Sequence, residues 1–405
     1  MKIAKKLKAQ ILPTVMVVST LLLLLTFVLL SLWESDLWLF SRNEYIEKCR
    51  SNIESAYVLY ESHPELFNEM DDSLCFNLYD SIASSVIIKK KAWGLYHWIN
   101  IASDNANIKQ HRLYGITPSS VSQYNLYYTN WQSSLTLVEN TNLQGSLALP
   151  EKGIIYGHSG NQFFSGEPVS PSNIQISEAE IPQPSQKAKK EIQKLRQLKP
   201  LEIMSDDSIS QSFSEMPPLI YAVNEYVGNT ILSGNIILCG DDVIIGSNAV
   251  IENIILIANR VIVESGFKGS LQIFAKDSVW IDSNVKLTYP SGVYSQKYIE
   301  VRNKCEIEGY IIVDVDNYIT NELNYYQSKT SILRGLLYVN GISQIQGIVS
   351  GKAFLNRCIY KSTSGYSVDL MSNMSLLQND WIAYPLWVTD NSHNLQMMQI
   401  CSENK

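Results

Sequence analysis

"VIIGSNAVIENIILIANR" (243–260) runs directly into "VIVESGFKGSLQIFAKDS" (261–278), and the chain then starts again with "VWIDSNVKLTYPS" (279–291). The three stretches align at a spacing of 18 residues. Val243, Val261 and Val279 share one column, and Ile245, Val263 and Ile281 a second. Ser247, Ser265 and Ser283 follow, then Asn248, Gly266 and Asn284, residue types that tolerate the positive φ of tight turns. Ala249, Phe267 and Val285 align as apolar positions, as do Ile255 with Ile273 and Leu256 with Phe274. "IILCGDD" (236–242) matches the end of the same unit. Each unit therefore reads as short alternating strands around a polar turn. A strand this short cannot bury its apolar side alone, whereas stacked copies can. The period is too short for ankyrin, tetratricopeptide or propeller repeats. It is one circuit of a parallel β-helix. About seven coils over 225–355, at roughly 4.8 Å each, predict a rod on the order of 30–35 Å.

The rhythm loosens after Pro290 but persists as strand–Gly–strand in "KCEIEGYIIVDVDN" (304–317) and "RGLLYVNGISQIQGIVSGKAFL" (334–355). "YITNELNYYQSK" (318–329) is expected to be an excursion. From about 362 the tail reads as irregular, with Trp381, Tyr384 and Trp387 capping the last coil. Upstream, "TNLQGSLALPEKGIIYG" (141–157) suggests that coils begin early and are then interrupted. Residues 168–218 hold seven of the 13 prolines. Within them "PSQKAKKEIQKLRQLKP" predicts a helix with Ala188, Ile192 and Leu195 on one face. Its opposite face carries Lys187, Lys189, Lys190, Lys194 and Arg196, readable as a solvated face or as a contact for anionic lipid or polymer.

The N-terminus is of another kind. "MKIAKKLKAQ" has four lysines and no acid, and residues 11–33 carry no charge at all. A spanning helix needs about 20 apolar residues. The run ends in Leu-Trp-Glu-Ser-Asp, which offers no signal-peptidase site, so an uncleaved anchor is expected. Lysines before the span place the N-terminus in the cytoplasm and the bulk outside it. Beyond the span, Ile46, Cys49, Ile53, Tyr57 and Tyr60 recur at helical steps until His63-Pro64. "SSVIIKKKAWGLYHWINIAS" (84–103) has strand composition, and Trp93, Tyr96, His97 and Trp98 in it could be either core or a sugar- or peptide-binding face.

A net charge of −7 sets nucleic acid aside as a partner. The six cysteines never fall in CxxC spacing and the five histidines never pair at ligand spacing, so no metal and no cofactor is expected. Nucleotide-loop, zinc-protease and serine-hydrolase motifs do not occur. One constellation points to catalysis: "VDVDN" puts Asp314 and Asp316 two apart, on one strand face. With Asp277 and Asp282 nearby in the repeat, they could flank a glycosidic bond if their carboxyls stood about 5–9.5 Å apart. Trp280 and Tyr289 would line such a groove.

In residues 225–290 the rows of "ILSGNIILCGDDVIIGSNAVIENIILIANRVIVESG" resemble bactofilin-type polymer-forming solenoids. That resemblance implies a self-assembling scaffold. The layout of one span, an amphipathic helix and external β-structure is similar to that of minor pilin-like proteins, which implies membership of a pilus-like or secretion-like machine.

The expectation is a mainly β chain. It comprises a basic tail (1–10), a transmembrane helix (11–33), an amphipathic helix (34–64), a strand-rich region (65–133) and first β-helix coils (134–167). A Pro-rich insert with one helix (168–224), a single-stranded parallel β-helix (225–361) and a C-terminal cap (362–405) follow. The functional expectation is a non-enzymatic inner-membrane protein with a structural or assembly role and protein partners. The alternative is a glycan-binding or glycan-cleaving solenoid.

Overall fold

The computed structural model describes residues 11–67, 74–77, 85–103, 108–200, 202–205, 207–213, 217–315, 322–362, 365–389 and 395–404. The chain is mainly β, with 50% strand against 21% helix. It divides into two compact units, one of residues 1–57, 75–87 and 101–109, the other of 58–74, 88–100 and 110–405.

The first unit contains most of a single 52-residue helix, Ile11–Ser62. The segments expected over 11–33 and 34–64 are thus one helix: Pro13 falls in its first turn, where a missing N–H is tolerated, and no further proline or glycine follows until Pro64. At about 1.5 Å per residue it runs about 78 Å. It is long and apolar enough to cross a membrane. Leu12 to Phe40 leave their apolar side chains exposed, more contiguous surface than a monomer leaves in water. Ser19, Thr20 and Thr26 return their hydroxyls to the carbonyls of Met16, Val17 and Leu23, so these groups need no water. Further along, Cys49, Ile53, Ala56 and Tyr57 are fully buried, as the apolar stripe predicts.

The second unit is built on a parallel β-solenoid of about 12 turns. Each coil contributes three strand segments, as in 250–252, 254–258 and 260–263, to three parallel ladders. One ladder runs the whole length: Glu202, Tyr221, Leu238, Leu256, Ile273, Val293, Ile311, Leu337, Ala353, Leu126, Leu147 and Ile174 lie side by side. At about 4.8 Å per step this stack is about 55 Å long. Leu238 through Leu147 of that row point inward and join one continuous apolar core. The second and third ladders supply parallel rows, Leu232–Ile251 in one and Val243–Val261–Val279 in the other.

The 18-residue alignment is right for the valine columns and wrong by one residue between them. Ile255 lies beside Gln272, and Leu256 beside Ile273, not Phe274. A bulge at Asn253, held at φ 53°, removes one residue of register, and a second after Ala258 restores it. Asn253 occupies a corner of the coil. In later coils this corner is the column Ser291, Gly309, Gly335 and Gly351. Gly309, Gly335 and Gly351 have φ of 135°, 136° and 143°, and the carbonyl of the preceding rung sits where a Cβ would be. This packing is the physical origin of the strand–Gly–strand rhythm.

The order of coils departs from the expectation. Residues 126–128 already belong to the solenoid, and they stack on 353–355, while the later strand Met374–Leu377 stacks on 347–350 as a further rung. The earliest coils are therefore the far end of the rod, followed in space by 147–149 and 174–176. Strands 202–203, 208–211 and 219–222, placed by the sequence reading in the insert, are the first rungs. Leu323–Gln327, expected in an excursion, is also a rung, paired with 299–301 and 342–345.

Residues 177–200 consequently have to travel back along the rod. Tyr127 Oη donates to the Glu180 carbonyl at 3.0 Å, and Tyr338 Oη to that of Pro182 at 3.2 Å. Lys189 Nζ then meets Asp314 at 3.3 Å, and Arg196 Nη2 donates to the Ala275 carbonyl at 3.0 Å. This return strap, with the helix Gln186–Arg196, covers an outward row of Phe274, Tyr294, Ile312, Tyr338 and Phe354, all buried. Trp387 packs edge-on against Tyr294 and Tyr338, both 5.7 Å away, and Trp381 is exposed. The C-terminal aromatics therefore lie on the flank. The coil at 353–355 is covered instead by 126–128. Finally, the strand Met397–Asn404 pairs antiparallel with 110–116, so the tail is not irregular throughout.

Gly335→Ala is expected to cost about 2–4 kcal/mol, since it adds both backbone strain and a clash with the Gly309 carbonyl. Gly153→Ala, at φ 69° with open space around it, should cost only about 1 kcal/mol. Thermal unfolding of the two variants checks this, and equal losses would contradict the close rung contact.

Candidate functional site

The most functional-group-rich surface is the outer side of the third ladder. Alternation along each strand sends Val243, Val261 and Val279 inward and their neighbours out. The outward row reads Tyr226, Ile244, Ile262, Trp280, Glu300 and Tyr326 on successive rungs. Beside it run Asp242, Arg260, Ser278 and Tyr298. Two concavities, of about 940 and 550 Å³, meet here and share Arg260 and Trp280. The Trp280 and Tyr298 rings stand 6.3 Å apart.

Four acids on this face, Asp242, Asp277, Asp282 and Glu300, each meet a cation. Arg260 grips Asp242, and Lys297 grips Asp277. Arg302 bridges Asp282 at 3.0 Å and Glu300 at 2.9 Å. The ammonium of Lys297 holds the Asp277 carboxyl below its usual range, and the Arg260 guanidinium does the same for Asp242. Burial, then the Glu300 charge, pushes the Tyr298 hydroxyl up. A glycosidase needs one carboxyl held protonated near neutrality. Asp242 and Asp277 are shifted the opposite way. The face thus offers aromatic stacking and a lattice of donors and acceptors, suited to holding a polar polymer. Its cations were legible: Asp242 and Arg260 are 18 residues apart, which the period converts into adjacent rungs.

Asp314, one of the two proposed catalytic acids, does not stand on this face. Asp314 is 4% exposed, beneath the return strap, salt-bridged to Lys189 and accepting from Asn340 Nδ2 at 3.5 Å. Its strand face is covered, so it pins a helix. Asp316 lies outside the described residues. Trp280 does stand on the groove. Tyr289 does not: its hydroxyl donates to the Ala383 carbonyl at 2.9 Å, and burial pushes its ionisation up. Trp93, Tyr96, His97 and Trp98 are all buried, the two tryptophans against Phe213. The basic helix face is partly spent inside the protein, since Lys189 goes to Asp314, Lys194 to Glu191 and Arg196 to Ala275 and the Tyr294 ring.

None of the six cysteines is in a disulfide. Among the described residues no three His, Cys, Asp or Glu side chains gather to hold a metal ion. Comparison of the chain with protein-family models, curated proteins and solved structures gives no match.

Asp314→Ala should loosen the return strap without unwinding the solenoid. Amides of 186–196 are expected to exchange about tenfold faster, the effect of losing about 1.4 kcal/mol from a buried pairing. Hydrogen exchange by mass spectrometry reads this; unchanged protection in 186–196 would show that the pair does not hold the helix.

Proposed function

We propose that this protein is a non-enzymatic, membrane-anchored structural element of the cell envelope. The helix from Ile11 fixes it in the cytoplasmic membrane, with the basic tail inside. The solenoid lies on the other side as a rigid surface for protein partners, in a pilus-like or secretion-like assembly. The observation that carries this reading is the union, in one chain, of an exposed apolar helix fit to span a bilayer and a long motif-poor rod. A rod with an uninterrupted apolar core has few low-energy deformations, which suits a strut better than an enzyme that must open and close. Asp242 and Asp277 are each held ionised in a salt bridge, by Arg260 and Lys297, which agrees with a face of paired charges.

Cross-linking in intact membranes, followed by solubilisation and recovery of the full chain, should yield one or more envelope proteins in stoichiometric amount. Recovery of a clean monomer would contradict the assembly role.

The Trp280 face supports a second reading, glycan binding without cleavage. Saccharide rings stack on aromatic faces, and the neighbouring charges would bond their hydroxyls. Full-length protein should co-sediment with insoluble cell-wall polysaccharide, and Trp280→Ala should lower the bound fraction at least threefold. Retention equal to wild type would remove the Trp280 face from consideration.

A further inference from the structure

Beside the rungs 353–355 and 126–128 lies a cavity of about 530 Å³, formed entirely within the second unit. Its floor is the outward side of the ladder that runs the length of the rod. Ala353, Leu126 and Leu147 point into the core on three successive rungs. Alternation along each strand therefore turns the residues just before them, Lys352, Asn125 and Ser146, to the outside. One wall is the segment 118–123, and the other includes Gln378 and Asp380. Among the described residues that line it, Pro118 alone has an apolar side chain.

Two opposite charges face this space, each held to its own side. Lys352 is 5% exposed, and its ammonium donates to the Ser122 carbonyl at 2.7 Å and to that of Tyr124 at 3.4 Å. Those bonds leave the third N–H of the ammonium without an acceptor among the described residues. Burial pushes the ionisation of Lys352 down to about 8, and the charge of Asp380 opposes that shift. Asp380 is exposed, and Gln378 Nε2 donates to one of its carboxylate oxygens at 2.7 Å. The other oxygen accepts from no side chain among the described residues. The loop that carries Asp380 is tied down, since the buried Tyr384 donates its hydroxyl to the Asn379 carbonyl at 3.2 Å. Next to Lys352, the 7% exposed Asn125 makes two long bonds, accepting from the Ser146 N–H at 3.3 Å and donating to the Gly351 carbonyl at 3.5 Å. One proton of its amide is left over. An ammonium taken out of water recovers part of the cost when a carboxylate is brought to it. Opposite charges kept on separate sides of a polar cavity complement a small molecule that carries both signs.

We infer that this cavity binds a free α-amino acid with a small, polar side chain, its carboxylate on Lys352 and Asn125 and its ammonium on Asp380. A simple carboxylate or a simple amine would meet one of the two charges and leave the other as it stands. The inference rests on neither the scaffold reading nor the glycan reading, and the failure of any one leaves the others standing.

The test uses the full chain in lipid nanodiscs, with L-serine as the probe and saturation-transfer NMR as the readout. Empty nanodiscs give the background. A saturable serine signal above that background is expected. 3-Hydroxypropionate, which lacks the ammonium, and ethanolamine, which lacks the carboxylate, should each bind about tenfold more weakly. Asp380→Asn, a change of charge at an exposed site, should weaken serine about tenfold and should not weaken 3-hydroxypropionate. Lys352→Met should weaken serine by about tenfold or more, the equivalent of about 1.4 kcal/mol. Lys352 also holds two backbone carbonyls, so Asp380→Asn keeps the test open if that variant fails to fold. Absence of a saturable serine signal, binding of either control as tight as that of serine, or serine binding unchanged by Asp380→Asn would overturn the inference.

Discussion

Parallel strands stacked one coil on the next, each supplying the hydrogen-bond partners of the coil before it, are the constraint from which the rest of this structure follows. The stack fixes the rise at about one strand spacing and forces side chains into columns. A column must then be apolar inside, and at the corner it must be small, because the preceding carbonyl lies within 2.1 Å of a notional Cβ at Gly309, Gly335 and Gly351. Some polar side chains are buried within the stack with their hydrogen bonds made. Gln327, fully inside, accepts from Tyr325 Oη at 2.8 Å and donates to the Ser331 and Ile348 carbonyls at 3.2 Å. Gln272, facing outward, holds the Trp93–Leu95 turn through the Trp93 carbonyl and the Leu95 N–H.

A stack of this kind has two ends, each with unpaired backbone groups. The chain covers the coil at 353–355 by its own topology, which moves that end of the stack out to 174–176. It winds the coils at 126–176 first, carries the strap back along an outward aromatic row, and winds the remaining coils until 353–355 meets 126–128. A buried cluster secures the junction. Tyr128 Oη and Ser133 Oγ donate to the two oxygens of Asp369 at 2.6 and 2.7 Å, and the Cys358 N–H donates to Tyr128 Oη at 3.1 Å. The ordering of the strap and the closing of the rod are thus one event, because the strap covers Tyr127, Tyr338 and Phe354 on coils from both parts of the sequence.

How much of this the sequence discloses depends on where the coil length stays constant. Between Val243 and Ile281 the two bulges cancel, the period survives, and both the fold and the Asp242–Arg260 pairing can be read. Past Pro290 the corners take up extra residues, so that Asp314 and Asn340, adjacent in space, are 26 apart in sequence. Periodicity then fails although the rungs do not. The stacking of 126–128 on 353–355 leaves no periodic trace, since nothing in a strand's own pattern names its distant neighbour. For the same reason Asp314 resembled a solvated acid: the strap that buries it is remote in sequence. The cavity beside Lys352 was hidden likewise, its polar groups coming from segments far apart in sequence.

The most direct test of the parallel stack and its closure is a disulfide between two outward-facing residues that only this topology makes neighbours. Asn142 and Ser375 are such a pair, side by side on adjacent rungs. With Cys75, the exposed native thiol, replaced by serine, Asn142→Cys/Ser375→Cys should form an intramolecular disulfide under mild oxidation. Asn142→Cys/Ile231→Cys, whose second site belongs to the opposite end of the ladder, should not. Failure of the first pair to cross-link, or equal cross-linking of both, would contradict the account.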